Sequence, residues 1–118
     1  MSYFEKANEF YVSKEYEKAM EFYKKAIDIK DNEAASYYNI GVCLIKLKEF
    51  NKAIAILKKA IELRSDSKYY FNLAYCYAMI KDRKKALIYF NTAWSIDNND
   101  AECDKAINLI MQDYKKIH

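Results

Sequence analysis

Apolar residues recur along this chain at helical spacing, and the pattern itself returns about every 34 residues. Ala19, Ala53 and Ala86 stand 34 and 33 residues apart, and each is followed at the same offsets by a large apolar residue and a second alanine. A fixed period of this length indicates stacked units of two amphipathic helices each. The pattern predicts seven helices, over residues 2–13, 16–29, 34–47, 50–63, 68–80, 83–96 and 100–116.

Small residues return at two positions of every unit and predict where two helices approach closely. The second helix of each pair carries Ala19, Ala53 and Ala86, and the first carries Ala7, Gly41 and Ala74. Larger apolar residues at the remaining positions would fill the gaps between the helices. We therefore expect Ala53→Leu to overpack this contact and to destabilise the fold by about 1–3 kcal/mol.

The repeated blocks resemble those of the tetratricopeptide repeat (TPR) family. Tyr16-Glu17-Lys18-Ala19 returns at residues 50–53 and 83–86, and Tyr37…Ile40-Gly41…Leu44 has counterparts one period upstream and downstream. The resemblance implies an all-α fold, a right-handed superhelical solenoid of three antiparallel helix hairpins plus a capping helix. We expect a single domain over residues 1–118, with repeats at about 1–33, 34–67 and 68–99 and the capping helix at 100–116.

The composition favours helices over strands and disfavours a nucleic-acid-binding protein. The 118 residues include one glycine and no proline, which disfavours strands joined by tight hairpins. The family usually has a proline between repeats, and Asp31, Ser65 and Asn98 stand near those places here as residues that can cap or start turns. A net charge of +3 spread over many lysines gives no concentrated basic patch, so we expect no nucleic-acid partner.

The N-terminus and the longest apolar run predict a cytoplasmic protein without membrane insertion. The first residues are charged too early for a signal peptide, and the apolar stretch at residues 69–80 is too short to span a bilayer. The cysteines are Cys43, Cys76 and Cys103, with no CxxC spacing, and the single histidine is His118. We expect small buried thiols, no metal site, no cofactor and no catalytic constellation, so the chain is predicted not to be an enzyme.

The family resemblance places a peptide-binding groove on the first helix of each hairpin. In this chain the corresponding positions carry aromatic residues, amides and a few lysines, a composition that suits an extended peptide. Asn39 and Asn72 are one period apart and would form a short ladder along the groove. The predicted groove residues are Phe4, Asn8, Tyr11, Tyr38, Asn39, Val42, Lys46, Lys68, Phe71, Asn72, Tyr75 and Met79.

Three functional hypotheses follow. The first is a non-catalytic interaction module or adaptor that binds a peptide or helix of a partner protein. The second is a self-assembling scaffold, a homodimer or larger homo-oligomer, formed through the edge hairpins. The third comes from family members that hold the acidic C-terminal tail of heat-shock chaperones with a dicarboxylate clamp: Asn8, Asn39 and Lys68 match that clamp, whereas Phe4 and Asn72 stand where it needs cations.

Overall fold

The computed structural model describes residues 1–98 and 101–117, and in the last helix it describes the side chains of residues 101, 102 and 104–112. These residues contain helices and no strand, which confirms the all-α prediction. The helices are α1 Tyr3–Val12, α2 Tyr16–Asp28, α3 Glu33–Lys46, α4 Phe50–Leu63, α5 Ser67–Met79, α6 Arg83–Ile96 and α7 Ala101–Ile117. Each begins and ends within one residue of its predicted bounds.

The chain forms two compact units, residues 1–64 and 65–118. In the first unit, α1 packs against α2, α2 against α3, and α3 against α4. In the second, α5 packs against α6, and α6 against α7. In each unit, helices that follow one another along the chain pack together, as the repeat of two amphipathic helices predicts. A single domain over the whole chain stays a prediction.

Polar side chains cap the starts of α1, α5 and α6. Ser2 precedes α1 and forms a capping box, in which its hydroxyl accepts from the N–H of Glu5 at 3.0 Å while the Glu5 carboxylate accepts from the N–H of Ser2. Asp66 caps α5 by accepting from the N–H of Lys68 at 2.9 Å, and Asp82 caps α6 by accepting from Lys85. The cap of α5 is therefore Asp66 and not the neighbouring Ser65.

The three turns inside the hairpins share one backbone conformation, and a lysine occupies its strained position. Lys14, Lys48 and Lys81 have φ of 62°, 60° and 70°, in the left-handed region that glycine adopts without steric cost. Each lysine N–H bonds to the carbonyl three residues back, and the next N–H bonds to the carbonyl five residues back. This pair of bonds is the Schellman motif, and a fourth copy ends α2 at Lys30.

The predicted small residues all lie in the cores of the units. Ala7, Ala19, Ala53, Ala74 and Ala86 have no exposed surface.

Gly41 leaves no room for a side chain, because a Cβ built on it would lie 2.6 Å from Cδ2 and 2.7 Å from Cγ of Leu57. The absence of a side chain at Gly41 is what lets α3 and α4 approach at this point.

The last helix packs on α6, in agreement with the predicted capping role within the second unit. The helical spacing of Cys103, Ala106, Ile107, Ile110 and Tyr114 predicts one apolar face on this helix. Ala106, Ile107 and Ile110 are partly buried, whereas Leu109 is 63% exposed. The side chains of Cys103 and Tyr114, also assigned to that face, lie outside the described residues. Over the described ranges, no helix is both long and apolar enough to cross a membrane.

Candidate functional site

The predicted groove residues of the first unit lie at the surface of α1 and α3. Six of them are half-buried, and Lys46 is exposed. The buried residues of the same helices, such as Ala7, Ile40 and Leu44, lie at other helical positions. The half-buried residues are Phe4, Asn8, Tyr11, Tyr38, Asn39 and Val42. Their partial exposure leaves one edge of each side chain available for a partner.

The predicted groove residues of the second unit also remain accessible. Tyr75 and Met79 are 37% and 45% exposed, Lys68 is exposed, and Phe71 and Asn72 are half-buried. Helix α5 looks apolar nearly all the way round in sequence, and the structure divides it into two sides. Its buried side consists of Tyr69, Leu73, Ala74, Cys76 and Tyr77.

The aromatic groove residues at equivalent positions pack edge-on against the second helix of their hairpins. Phe4 meets Tyr23 with ring centroids 5.8 Å apart, and Phe71 meets Phe90 at 5.2 Å. Edge-to-face contacts of this kind are favoured by the ring quadrupoles and hold a half-buried ring in place. Phe4 and Phe71 are thus anchored in the hairpin and expose only part of their surface.

A buried hydroxyl supports Asn8 in the first unit. Tyr23 of α2 is 1% exposed, and its hydroxyl donates to Oδ1 of Asn8 at 2.6 Å. Burial raises the pKa of Tyr23 above its ordinary value of 10.0. The phenol therefore stays protonated at neutral pH and can donate to Asn8.

Sequence reasoning assigned Tyr23 only to the repeated packing positions and missed this role. The positions one period away carry Leu57 and Phe90, so Tyr23 has the only hydroxyl of the three. A polar atom at a position otherwise apolar in the repeat was the signal that could have identified it, because a buried hydroxyl requires a hydrogen-bond partner.

The amide of Asn72 is directed partly toward its own helix. Its Nδ2 donates to the carbonyl oxygen of Lys68, one turn earlier, at 3.0 Å. This bond competes with any bond from the same amide to a partner. Asn39 and Asn72 belong to different compact units. The ladder expected between them stays a prediction.

An open pocket adjoins the predicted groove residues of α1. It has a volume of about 500 Å³ and is lined by Asn8, Glu9, Val12 and Ser13. Val12 is 78% exposed, so the pocket offers an apolar contact beside the amide of Asn8 and the carboxylate of Glu9. These groups suit a peptide segment that carries one apolar side chain.

The described cysteines lie in the core, as predicted. Cys43 and Cys76 have no exposed surface, and burial raises the pKa of each thiol from 9.0 to about 12. Thiols this far from ionisation are poor nucleophiles and poor metal ligands at neutral pH. Among the residues that the structure describes, no group of histidine, cysteine and carboxylate side chains could hold a metal ion.

Family profiles match most of the chain, repeat by repeat. A profile described as "TPR repeat" matches residues 7–47, and profiles described as "Tetratricopeptide repeat" match residues 34–67 and 67–100. The chain belongs to the tetratricopeptide repeat family. The three TPR repeats predicted from the periodicity are thereby confirmed, as is the TPR assignment made from the blocks around Ala19, Ala53 and Ala86.

Individual TPR proteins resemble the chain over most of its length. The Hsp70-Hsp90 organising protein of Plasmodium falciparum (isolate 3D7) is 32% identical over 104 residues, which cover 81% of this chain and 18% of that protein. DnaJ homolog subfamily C member 7 of Mus musculus is 29% identical over 121 residues, which cover 98% of the chain and 24% of the relative. The chain thus spans about a fifth of the length of these curated relatives.

Among solved structures, the first TPR of Spaghetti (RPAP3) bound to the HSP90 peptide SRMEEVD superposes with a TM-score of 0.90 at 21% identity. The superposition covers 96% of this chain and 90% of that one, and at this identity it shows a shared fold.

Proposed function

We propose that the chain is a non-catalytic protein-interaction module that holds a short segment of a partner protein against the first helices of its hairpins. The observation that carries this proposal is the accessibility of the predicted groove residues on α1, α3 and α5. All twelve keep exposed surface, although other positions of the same helices are fully buried. A cytoplasmic location and the alternative of self-assembly stay predictions.

The chemistry of these residues favours a peptide over a small molecule. Half-buried aromatic rings offer a large contact area and lose little entropy on binding, and asparagine amides match the donors and acceptors of a peptide backbone. A single face of this size supports an affinity near a Kd of about 1 µM, or roughly −8 kcal/mol. Such a module works through binding alone and needs no reacting group.

The proposal is tested by selecting peptides from a random phage-displayed library on the wild-type chain and mapping the selected peptide by ¹⁵N NMR. The amide signals of α1, α3 and α5 should shift on titration. The Asn8→Ala/Asn39→Ala variant should bind more weakly. A matched control is Asn51→Ala/Asn91→Ala, which removes two exposed amides from α4 and α6. Shifts confined to α2, α4 and α6 would show that the site lies elsewhere.

A second candidate function is binding of an acidic C-terminal tail. It is favoured by Asn8, Asn39 and Lys68, which match the clamp, and by relatives and neighbours whose names refer to Hsp70 and Hsp90. The clamp is incomplete, however, because Phe4 and Asn72 replace two cations and so remove charge-assisted bonds to a carboxylate.

The peptide SRMEEVD, as free acid and as C-terminal amide, separates the two candidates by calorimetry. Tail binding requires that amidation weaken the affinity, whereas a groove for internal segments tolerates it. The variant Phe4→Lys/Asn72→Arg should bind the free acid at least about tenfold more tightly than the wild type, since hydrogen bonds to charged groups contribute about 1.5–3 kcal/mol each. No gain in this variant would exclude a clamp at these positions.

A further inference from the structure

The hydrogen bond between Tyr23 and Asn8 determines which end of an amide faces outward. A primary amide has one acceptor atom, Oδ1, and one donor atom, Nδ2. Oδ1 of Asn8 accepts from the buried Tyr23 hydroxyl at 2.6 Å. A phenol carries a single proton, so the bond to Asn8 uses the whole donor capacity of Tyr23.

The outward end of Asn8 is therefore the Nδ2 donor. Asn8 is half-buried and lines the open pocket with Glu9, Val12 and Ser13. Within residues 1–98 and 101–117, the bond to Tyr23 is the one hydrogen bond that the Asn8 side chain makes. Its two N–H groups are thus available to a molecule that occupies the pocket.

Among the three hairpins, the one with a tyrosine hydroxyl at the position of Tyr23 is also the one with an asparagine at the position of Asn8. The positions equivalent to Asn8 carry Val42 and Tyr75, and those equivalent to Tyr23 carry Leu57 and Phe90. The ring packing alone does not need the hydroxyl, because Phe90 makes the same edge-on contact with Phe71 that Tyr23 makes with Phe4. The hydroxyl occurs in the hairpin where an asparagine is there to receive it.

We propose that Tyr23 is a positioning residue that fixes the Asn8 amide with Nδ2 toward the partner, so that the partner must present an acceptor oxygen at this point. The oxygen is a carbonyl or a carboxylate of the bound segment. The inference rests on the proposed function for the identity of the site, and it adds the polarity of one contact and the buried residue that sets it.

The first test uses the free protein and needs no partner. Side-chain ¹⁵N signals of Asn8 are recorded in the wild type and in Tyr23→Phe, with Tyr89→Phe as a control that removes a hydroxyl from the second unit. Tyr23→Phe should shift the Asn8 side-chain signals and increase their mobility on the nanosecond timescale, and Tyr89→Phe should leave them unchanged. Identical Asn8 signals in the wild type and Tyr23→Phe would overturn the proposal.

The second test is a double-mutant cycle on binding of SRMEEVD as free acid and as C-terminal amide. Tyr23→Phe should weaken binding about three- to tenfold, the loss expected for one misdirected hydrogen bond. In the Asn8→Ala background, Tyr23→Phe should have no further effect. An equal loss in both backgrounds would assign Tyr23 a purely structural role and overturn the proposal.

The two peptide forms also identify the acceptor. Loss of the Tyr23 effect on amidation assigns the contact to the terminal carboxylate, whereas an effect on both forms assigns it to a backbone carbonyl. If neither form binds the wild type at millimolar concentration, the result counts against tail binding as the function. The signals of Asn8 in the free protein then still decide the role of Tyr23.

Discussion

Substitution of Gly41 offers the sharpest test of the packing between α3 and α4, because it has two opposing effects of known size. The added Cβ clashes with Leu57, whereas alanine is favoured over glycine within a helix. In Gly41→Ala the added Cβ would lie 2.6 Å from Cδ2 and 2.7 Å from Cγ of Leu57, whereas carbon atoms in contact normally stay about 3.5–4.0 Å apart. Leu57 or the helix must therefore move by about 1 Å. Leu57 has no exposed surface, so it cannot relieve the contact by turning into solvent.

The balance of the two effects predicts a net loss of stability. Alanine in the middle of a helix is favoured over glycine by about 0.8–1 kcal/mol. Overpacking a well-filled core costs about 1–3 kcal/mol, so Gly41→Ala should lower the free energy of unfolding by up to about 2 kcal/mol. Urea denaturation followed by far-UV circular dichroism measures the change.

A second substitution tests the cause of the loss. At the positions equivalent to Gly41 and Leu57, the other two hairpins carry Ala7 with Tyr23 and Ala74 with Phe90. We therefore expect a planar ring to tolerate a Cβ that the branched Leu57 does not. Gly41→Ala should accordingly be less harmful in a Leu57→Phe background, with a coupling of about 1 kcal/mol or more. A more stable Gly41→Ala single variant, gaining the full helix propensity of alanine, would refute the reasoning.

The remaining predictions concern turns, core and pH. Lys48→Gly should stabilise the chain by about 0.5–1 kcal/mol in urea denaturation, since it removes a left-handed non-glycine residue, and Lys48→Ala should be nearly neutral. Ala53→Leu should lower stability by about 1–3 kcal/mol, and a thermal melt no lower than that of the wild type would contradict the close helix contact. Because burial raises the pKa of Cys43 and Cys76 to about 12 and also raises that of Tyr23, their protons are held more tightly in the folded state. Stability should therefore be constant up to about pH 9 and fall from pH 9 to 12, by about 1.4 kcal/mol per pH unit for each thiol; a flat profile to pH 11 would argue against their burial.

The periodicity was sufficient to predict the helices, because every hairpin buries the same pattern of small and large residues. Phe50–Leu63 and Arg83–Ile96 begin and end where the pattern places them. The sequence of α5 alone does not show which of its residues are exposed, since it is apolar on nearly every side. Comparison with the first helices of the other hairpins places Tyr75 in the predicted groove, and the structure shows Tyr75 exposed and Leu73 buried.

Two features of the site and turns could not be read from apolar spacing alone. The left-handed lysines depend on backbone dihedrals, and lysine by itself does not indicate such a conformation as glycine does. The bond from Tyr23 to Asn8 depends on a side-chain direction across two helices, which spacing along each helix does not contain. The hydroxyl of Tyr23, at a position where the other repeats carry Leu57 and Phe90, was the one available signal for the second of these features.

The lysines in the hairpin turns make this chain less stable than glycine at the same positions would. Replacing Lys14, Lys48 and Lys81 by glycine together should add about 1.5–3 kcal/mol, as much as a typical destabilising substitution removes. Proteins are selected to remain above a stability threshold rather than to reach an optimum, and changes of this kind alter no residue proposed to meet a partner. The triple-glycine chain would therefore be a tolerant starting point for laboratory evolution of new binding specificities on α1, α3 and α5.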